Sequence, residues 1–230
     1  MTVVGGDGCK AGWVAAVVEP STPAISFAVF STFAALLRAL GDAAAIAIDI
    51  PIGLHDGTRE CDVLARKFIG PRSASVFPAP CRAVLACPDY ASARTVSIAT
   101  TGKSLSAQAF AITPKIREVD TAMSPGLQER VREAHPEACF TAIHGTPMQF
   151  SKRTPAGFEE RRAALEAALP GLALPALAEA SRLFRGTAAD DVLDAAALAW
   201  SARRLADGTC VSLPATPSVD ARGLRMEVIY

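Results

Sequence analysis

No run of about 18 uncharged apolar residues occurs in the chain, although half of its 230 residues are hydrophobic. A membrane-spanning helix needs such a run, so none is expected. The opening MTVVGGDGCKAGW has no basic segment leading into an apolar one, which argues against a secretory leader. The six cysteines, Cys9, Cys61, Cys81, Cys87, Cys139 and Cys210, include no C-x-x-C pair. Scattered thiols fit a reducing, cytoplasmic setting and speak against a zinc knuckle or a disulfide framework. His135 and Cys139 have no second Cys or His pair nearby in sequence, so they make a poor zinc site. Aromatic residues are 6% of the chain and form no run, which removes the stacking platform of a single-strand binder. Net charge is zero, which disfavours tight, indiscriminate binding of a polyanion.

That zero hides an asymmetry. Nine Lys or Arg lie between Arg59 and Arg117, against three acids (Glu60, Asp62 and Asp89). The segment therefore carries an excess of six positive charges and the remainder an excess of six negative ones. The bland interpretation is a solvated insertion. The functional one is a basic segment over an acidic, metal-loaded centre, suited to a phosphate-rich ligand.

The chain's length suits a single domain with one substantial core. TVVGGD, GWVAAVVE and AISFAVF are β-rich runs separated by turn residues, the last bounded by Pro20 and Pro23, and they read as an antiparallel meander. FAALLRAL has helical periodicity and stops at Gly41. AAIAIDIPIGL is a continuous apolar run, as expected of a strand buried on both faces and parallel to the first across the helical crossover. From about 55 to 128 short helices and loops form an insertion, with TPKIREVD as a polar turn. VREAHPEACFTAI returns to strand character. GFEERRAALEAAL, LPALAEASRLF and DDVLDAAALAWSARRLA are helices, and GLRMEVIY is a last edge strand or arm.

Four acids stand out against this background. Asp7 follows an apolar run between Gly6 and Gly8, which permit tight turning and close approach of a ligand. Asp49 interrupts the most hydrophobic strand just before Pro51, and buried strands seldom carry a lone Asp. Asp190 or Asp191 suits a helix N-terminus. Asp194 suits it poorly, since it sits among Ala195, Ala196, Ala197 and Leu198, where a carboxylate needs a cation. Positions three apart share a helix face, so Asp191 and Asp194 can converge. In an extended segment Glu133, His135 and Glu137 would likewise line one side. Acids clustered at strand ends repel one another unless a cation lies between them. Oxygen ligands select Mg²⁺ or Mn²⁺, which can activate water for displacement at phosphorus.

The order β-β-β-α-β, with an Asp on strand one, an Asp on strand four and D-x-x-D-A opening a late helix, resembles the ribonuclease H-like fold. More closely, GDGCKAGW, AIDIPIGL, RECDVLAR, PRSASVFPAP, LSAQAFAITPKIREVD, EAHPEACF and DDVLDAAALAW resemble, in order, an uncharacterised bacterial and archaeal family of predicted RNase H-like nucleases. The resemblance runs from residue 5 to about 204. It implies an α/β fold with a mixed five-stranded sheet flanked by helices, and an insertion after strand 4. It implies Asp7, Asp49 and Asp194 on Mg²⁺ or Mn²⁺, with Asp191 as a further ligand and Glu137 completing the catalytic set. Arg72, Lys115 and Arg117 are then contacts to substrate phosphates. The implied activity is metal-dependent hydrolysis of phosphodiester bonds in nucleic acid, DNA or RNA. A non-catalytic nucleic-acid or ligand-binding module of the same fold is the alternative. An actin-like phosphotransferase fits less well, because it needs two phosphate loops on two related domains and the sequence offers one.

Overall fold

The computed structural model describes residues 1–19 and 24–230, and the turn expected at Pro20 and Pro23 lies outside them. Strands β1 (Val3–Cys9), β2 (Gly12–Val18) and β3 (Ile25–Phe30) form the antiparallel meander. Helix α1 (Phe33–Leu40) is capped by Thr32, whose hydroxyl accepts from the Ala35 amide at 3.1 Å, and it ends at Gly41. Strand β4 (Ala45–Ile48) then runs parallel to β1, with Val3 opposite Ala45 and Gly6 opposite Ile48.

Between β4 and the next sheet strand lie four helices: α2 (Glu60–Ile69), α3 (Tyr90–Thr101), α4 (Ala107–Ala111) and α5 (Thr113–Ala122). Tight 3-10 turns over 70–75, 82–86 and 127–129 join them. Strand β5 (Val131–Glu133) pairs in parallel with β4. Helices α6 (Pro136–His144), α7 (Pro155–Ala168), α8 (Leu177–Leu183) and α9 (Ala189–Ala206) follow, and β6 (Ser212–Leu213) pairs with β7 (Val228–Ile229) in a separate ribbon. The main sheet has five strands in the order β3-β2-β1-β4-β5, so the fold is α/β with a mixed sheet and flanking helices. No helix of the described residues is long and apolar enough to cross a membrane.

The alternation of side chains along each strand sorts the core into two layers. Val3, Val14, Ala16, Ala45 and Ala47 face α6, α7 and α9. Val4, Trp13, Ala15, Ile46 and Ile48 face α1 and α5. Both faces are covered, which is why β4 reads as an unbroken apolar run. The α9 face is lined by small residues for a steric reason. A methyl group added at Gly5 would lie 2.0 Å from the Ala195 carbonyl oxygen and 2.2 Å from the Ala199 nitrogen. Strand and helix thus touch backbone to backbone, and the alanines of α9 are what permit it.

Two sequence expectations differ from the structure. TPKIREVD is helix α5, with Pro114 in its first turn, where a missing amide hydrogen costs nothing. The strand expected over VREAHPEACFTAI ends at Glu133, because Pro136 opens α6 in the same way. Glu133, His135 and Glu137 therefore do not line one face of a strand. The segment GLRMEVIY ends in the short strand β7, which pairs with β6 and bridges in parallel to Ala134 through Ile229, and the turn before it ties back to the loop after β4. Asp220 accepts from the Leu54 amide at 3.0 Å and from Arg82 at 2.5 Å.

Candidate active site

The parallel register brings the two strand-end acids side by side. Gly6 pairs with Ile48, and the Asp49 amide continues the ladder by donating to the Gly6 carbonyl at 3.1 Å. Asp7 and Asp49 are thus next neighbours across adjacent strands. Counting in twos from Val3 and from Ala47, both project from the sheet face on which α9 packs. The contact at Gly5 sets α9 close against β1, and Asp194, on the turn that holds Ala195, arrives beside them. Asp7 is 8% exposed and Asp194 1%.

The convergence of these acids perturbs their titration. Burial holds the Asp7 carboxyl well above the ordinary carboxylate range, and the charges of Asp49 and Asp194 push it further. Burial also raises Asp49, against the pull of His135 and Lys152. Burial pushes Asp194 up to about 6 despite Lys152 beside it. Three carboxylates thus share one low-dielectric space and disfavour each other's charge.

The cation that Asp194 requires is Lys152. Its Nζ donates to Asp194 Oδ2 at 2.6 Å and lies 3.4 Å from Asp190 Oδ2. Asp194 in turn holds the ammonium firmly protonated, well above the usual lysine range. A loop clamped onto α7 presents this lysine. Glu160 accepts from the amides of Gln149 and Phe150 at 2.7 and 3.0 Å, and Arg161 donates to the Phe150 carbonyl at 3.1 Å. Gly157 allows the closest approach, since a methyl group there would lie 2.0 Å from the Ser151 carbonyl oxygen. Sequence reasoning missed Lys152. It stands in the polar stretch FSKRTPAGF, 42 positions from Asp194, and nothing local marks it.

Asp191 caps α9 from the third position of the helix, whereas the N-cap residue is Ala188 and not the Asp190 or Asp191 expected. Its Oδ2 reaches back to accept from the Ala188 amide at 2.8 Å. Glu137 pairs with buried Arg161 at 2.6 Å, tying α6 to α7. Glu133 accepts from Arg59 at 2.5 Å and from the Ile52 amide at 2.6 Å, and burial raises it to about 8 against the pull of Arg59. Neither Asp7 nor Asp49 makes a side-chain hydrogen bond among the described residues.

Both of these unpartnered acids open on a cleft of about 230 Å³. Asp62, Glu133, His135 and Lys115 add its polar groups, and Phe77, Val76 and Ile112 form an apolar wall. Lys115 lies over Gly8, donates to the Gly12 carbonyl at 2.5 Å, and packs its ammonium 5.0 Å from the Trp13 ring centre. It retains two further donors. The other basic residues read as phosphate contacts are anchored elsewhere. Arg72 donates to the Met148 carbonyl at 2.9 Å and Arg117 to the Leu85 carbonyl at 2.7 Å. Neither lines the cleft. Among the described residues, no three His, Cys, Asp or Glu side chains form a ready metal cage.

Residues 5–219 match the family described as "Protein of unknown function (DUF429)". The chain belongs to this family. No curated protein and no solved structure matches it. The matched span takes in Asp7, Asp49, Lys152, Asp191 and Asp194, so the whole acidic centre lies within it.

Proposed function

We propose that the cleft is the active site of a metal-dependent phosphoester hydrolase of ribonuclease H-like fold, acting on nucleic acid or its fragments. One observation carries this reading: Asp7, buried near the end of β1, and half-buried Asp49, just past the end of the parallel strand β4, stand together, unpartnered and open to a cleft. Acids so placed cost stability, and a cation shared between them relieves that cost. The strand order β3-β2-β1-β4-β5, with its first three strands antiparallel, supports the fold assignment.

The residues fit Mg²⁺ or Mn²⁺ in a particular way. Mg²⁺ is commonly held by one or two carboxylates together with waters and substrate phosphate, not by an all-protein cage. Two carboxylates free of hydrogen bonds and facing an open cleft are such a partial shell. When bound, the ion would lower the pKa of a coordinated water and stabilise charge on the phosphoryl oxygens. The chain's own residues do the rest. Asp7 and Asp49 orient the ion's site, and Lys115 faces the ligand's phosphate with its free donors. His135 lines the same cleft, where an imidazole can take a proton at one nitrogen and give one at the other. In the hydrolysis a water oxygen bonds to phosphorus and the bond to the leaving oxygen breaks. One water proton is taken up within the cleft, and the leaving oxygen gains a proton.

The test is a panel of phosphoesters in Mn²⁺, from bis(p-nitrophenyl) phosphate to single-stranded and duplex oligonucleotides. Turnover that Asp7→Asn and Asp49→Asn each reduce by more than about 100-fold, the ceiling for residues that merely support a ligand, is the expected result. No turnover across the panel, with folded protein and saturating Mn²⁺, would defeat the reading and favour a binding module.

A further inference from the structure

The acidic centre contains five aspartates, and two of them already have a cation. Lys152 sits 2.6 Å from Asp194 and 3.4 Å from Asp190, and the clamp of its loop onto α7 delivers it there. Asp191 is occupied with the Ala188 amide. Asp7, more than nine-tenths buried, and Asp49 are what remains, and both face the cleft. We propose that Lys152 is a resident cation in the position a second metal would otherwise take, so that the site holds a single divalent ion, between Asp7 and Asp49. This rests on the reading of the cleft as a metal site and specifies its stoichiometry.

The physical argument concerns charge and room. Asp194 is 1% exposed, so an unpaired charge there is costly, and the ammonium removes that cost without an ion from solution. A second divalent ion at Asp194 would have to displace the lysine into a loop already fixed by Glu160 and Arg161. It would also bring two positive charges beside an ammonium. A single ion at Asp7 and Asp49 needs neither step. Lys152 is thus a positioning residue. It keeps Asp194 ionised and in place behind Asp7, and it does not line the cleft.

The experiment counts ions. Wild-type protein is titrated with Mn²⁺ alone, free Mn²⁺ being read by electron paramagnetic resonance, beside Lys152→Met and the double variant Lys152→Met with Asp194→Asn. One ion in the wild type, two in Lys152→Met and one again in the double variant is the expected pattern. In a parallel measurement on the wild type, amine acetylation mapped by mass spectrometry should find Lys152 equally protected with and without Mn²⁺. This readout stands if Lys152→Met does not fold. Two ions in the wild type, a single ion in folded Lys152→Met, or Mn²⁺-induced exposure of Lys152 would overturn the inference and leave the proposed hydrolase standing. No Mn²⁺ bound by the wild type would remove both.

Discussion

Lys152 Nζ and Asp194 Oδ2 lie 2.6 Å apart, joining a loop before α7 to the second turn of the buried helix α9. Breaking such a pair from one side strands a charge, whereas removing both charges together does not. Lys152→Met should therefore destabilise the protein by about 3 kcal/mol at pH 8, the lower end for a buried pair because the lysine keeps about a third of its side chain in water. Adding Asp194→Asn should recover most of that loss. Urea denaturation of the two single variants and the double variant closes the cycle. A double variant as unstable as Lys152→Met would mean that the lysine acts through packing and not charge.

Asp7 gives a pH dependence of definite sign. Its carboxyl titrates well above the ordinary range in the folded protein, so over that interval the native state holds a proton that the unfolded state has lost. Stability then falls as pH rises from the ordinary carboxylate range through the raised value. Asp7→Asn removes this contribution. Without divalent metal it should raise the melting temperature by about 2–4 °C at pH 8, the shift expected for about 1 kcal/mol in a chain of this size, and by nothing near pH 4. Melts at both pH values with chelator present check it. A loss of stability at pH 8 would show that Asp7 has a structural partner.

Gly5 is a steric requirement. With 2.0 Å between an added methyl carbon and the Ala195 oxygen, Gly5→Ala must push α9 away from β1. Overpacking of this kind costs typically 1–3 kcal/mol, and this case should reach at least about 3 because both sides are backbone. Gly102 has open space around its Cβ position but a left-handed backbone, so Gly102→Ala should cost less, about 1 kcal/mol. Denaturant midpoints of the two variants decide between crowding and backbone strain.

The cleft also constrains what enters it. Only Lys115, of the three basic residues first read as phosphate contacts, lines it. Affinity for a 20-nucleotide strand in Mn²⁺ should then fall only about 3-fold between 50 and 200 mM salt, far short of the 10³–10⁵-fold typical of six to ten phosphate contacts. Arg72→Ala and Arg117→Ala should lower thermal stability and leave that affinity unchanged. Fluorescence anisotropy across the salt range tests both statements. A steep salt slope that flattens in either arginine variant would return those residues to the interface.

Much of this was legible from residues alone. The meander, the crossover to β4 and the late helices all follow from period-two and period-3.6 patterns and from Gly41 as a stop. Asp7, Asp49 and Asp194 stood out because each is an acid in an apolar setting, and that local contradiction marked the centre. What stayed hidden was pairing across long distances. Lys152, Arg161 and Arg59 are ordinary basic residues in sequence, and only the folded chain reveals them as partners of Asp194, Glu137 and Glu133. The two helices that the patterns did not reveal begin alike: Pro114 and Pro136 each stand in a first turn, where proline is at home.

The backbone contact between β1 and α9 also sets a timetable for synthesis. Strand β1 (Val3–Cys9) leaves the ribosome long before α9 (Ala189–Ala206). Until then the face bearing Gly5, Asp7 and Asp49 has no cover, and neither Lys152 nor Asp194 is beside it. A nascent chain therefore carries the two open acids long before it can hold them in working order. Contacts of such sequence separation slow folding, because a large loop must close before they form. The acidic centre, on this account, assembles late and all at once, when α9 lays its alanines against β1.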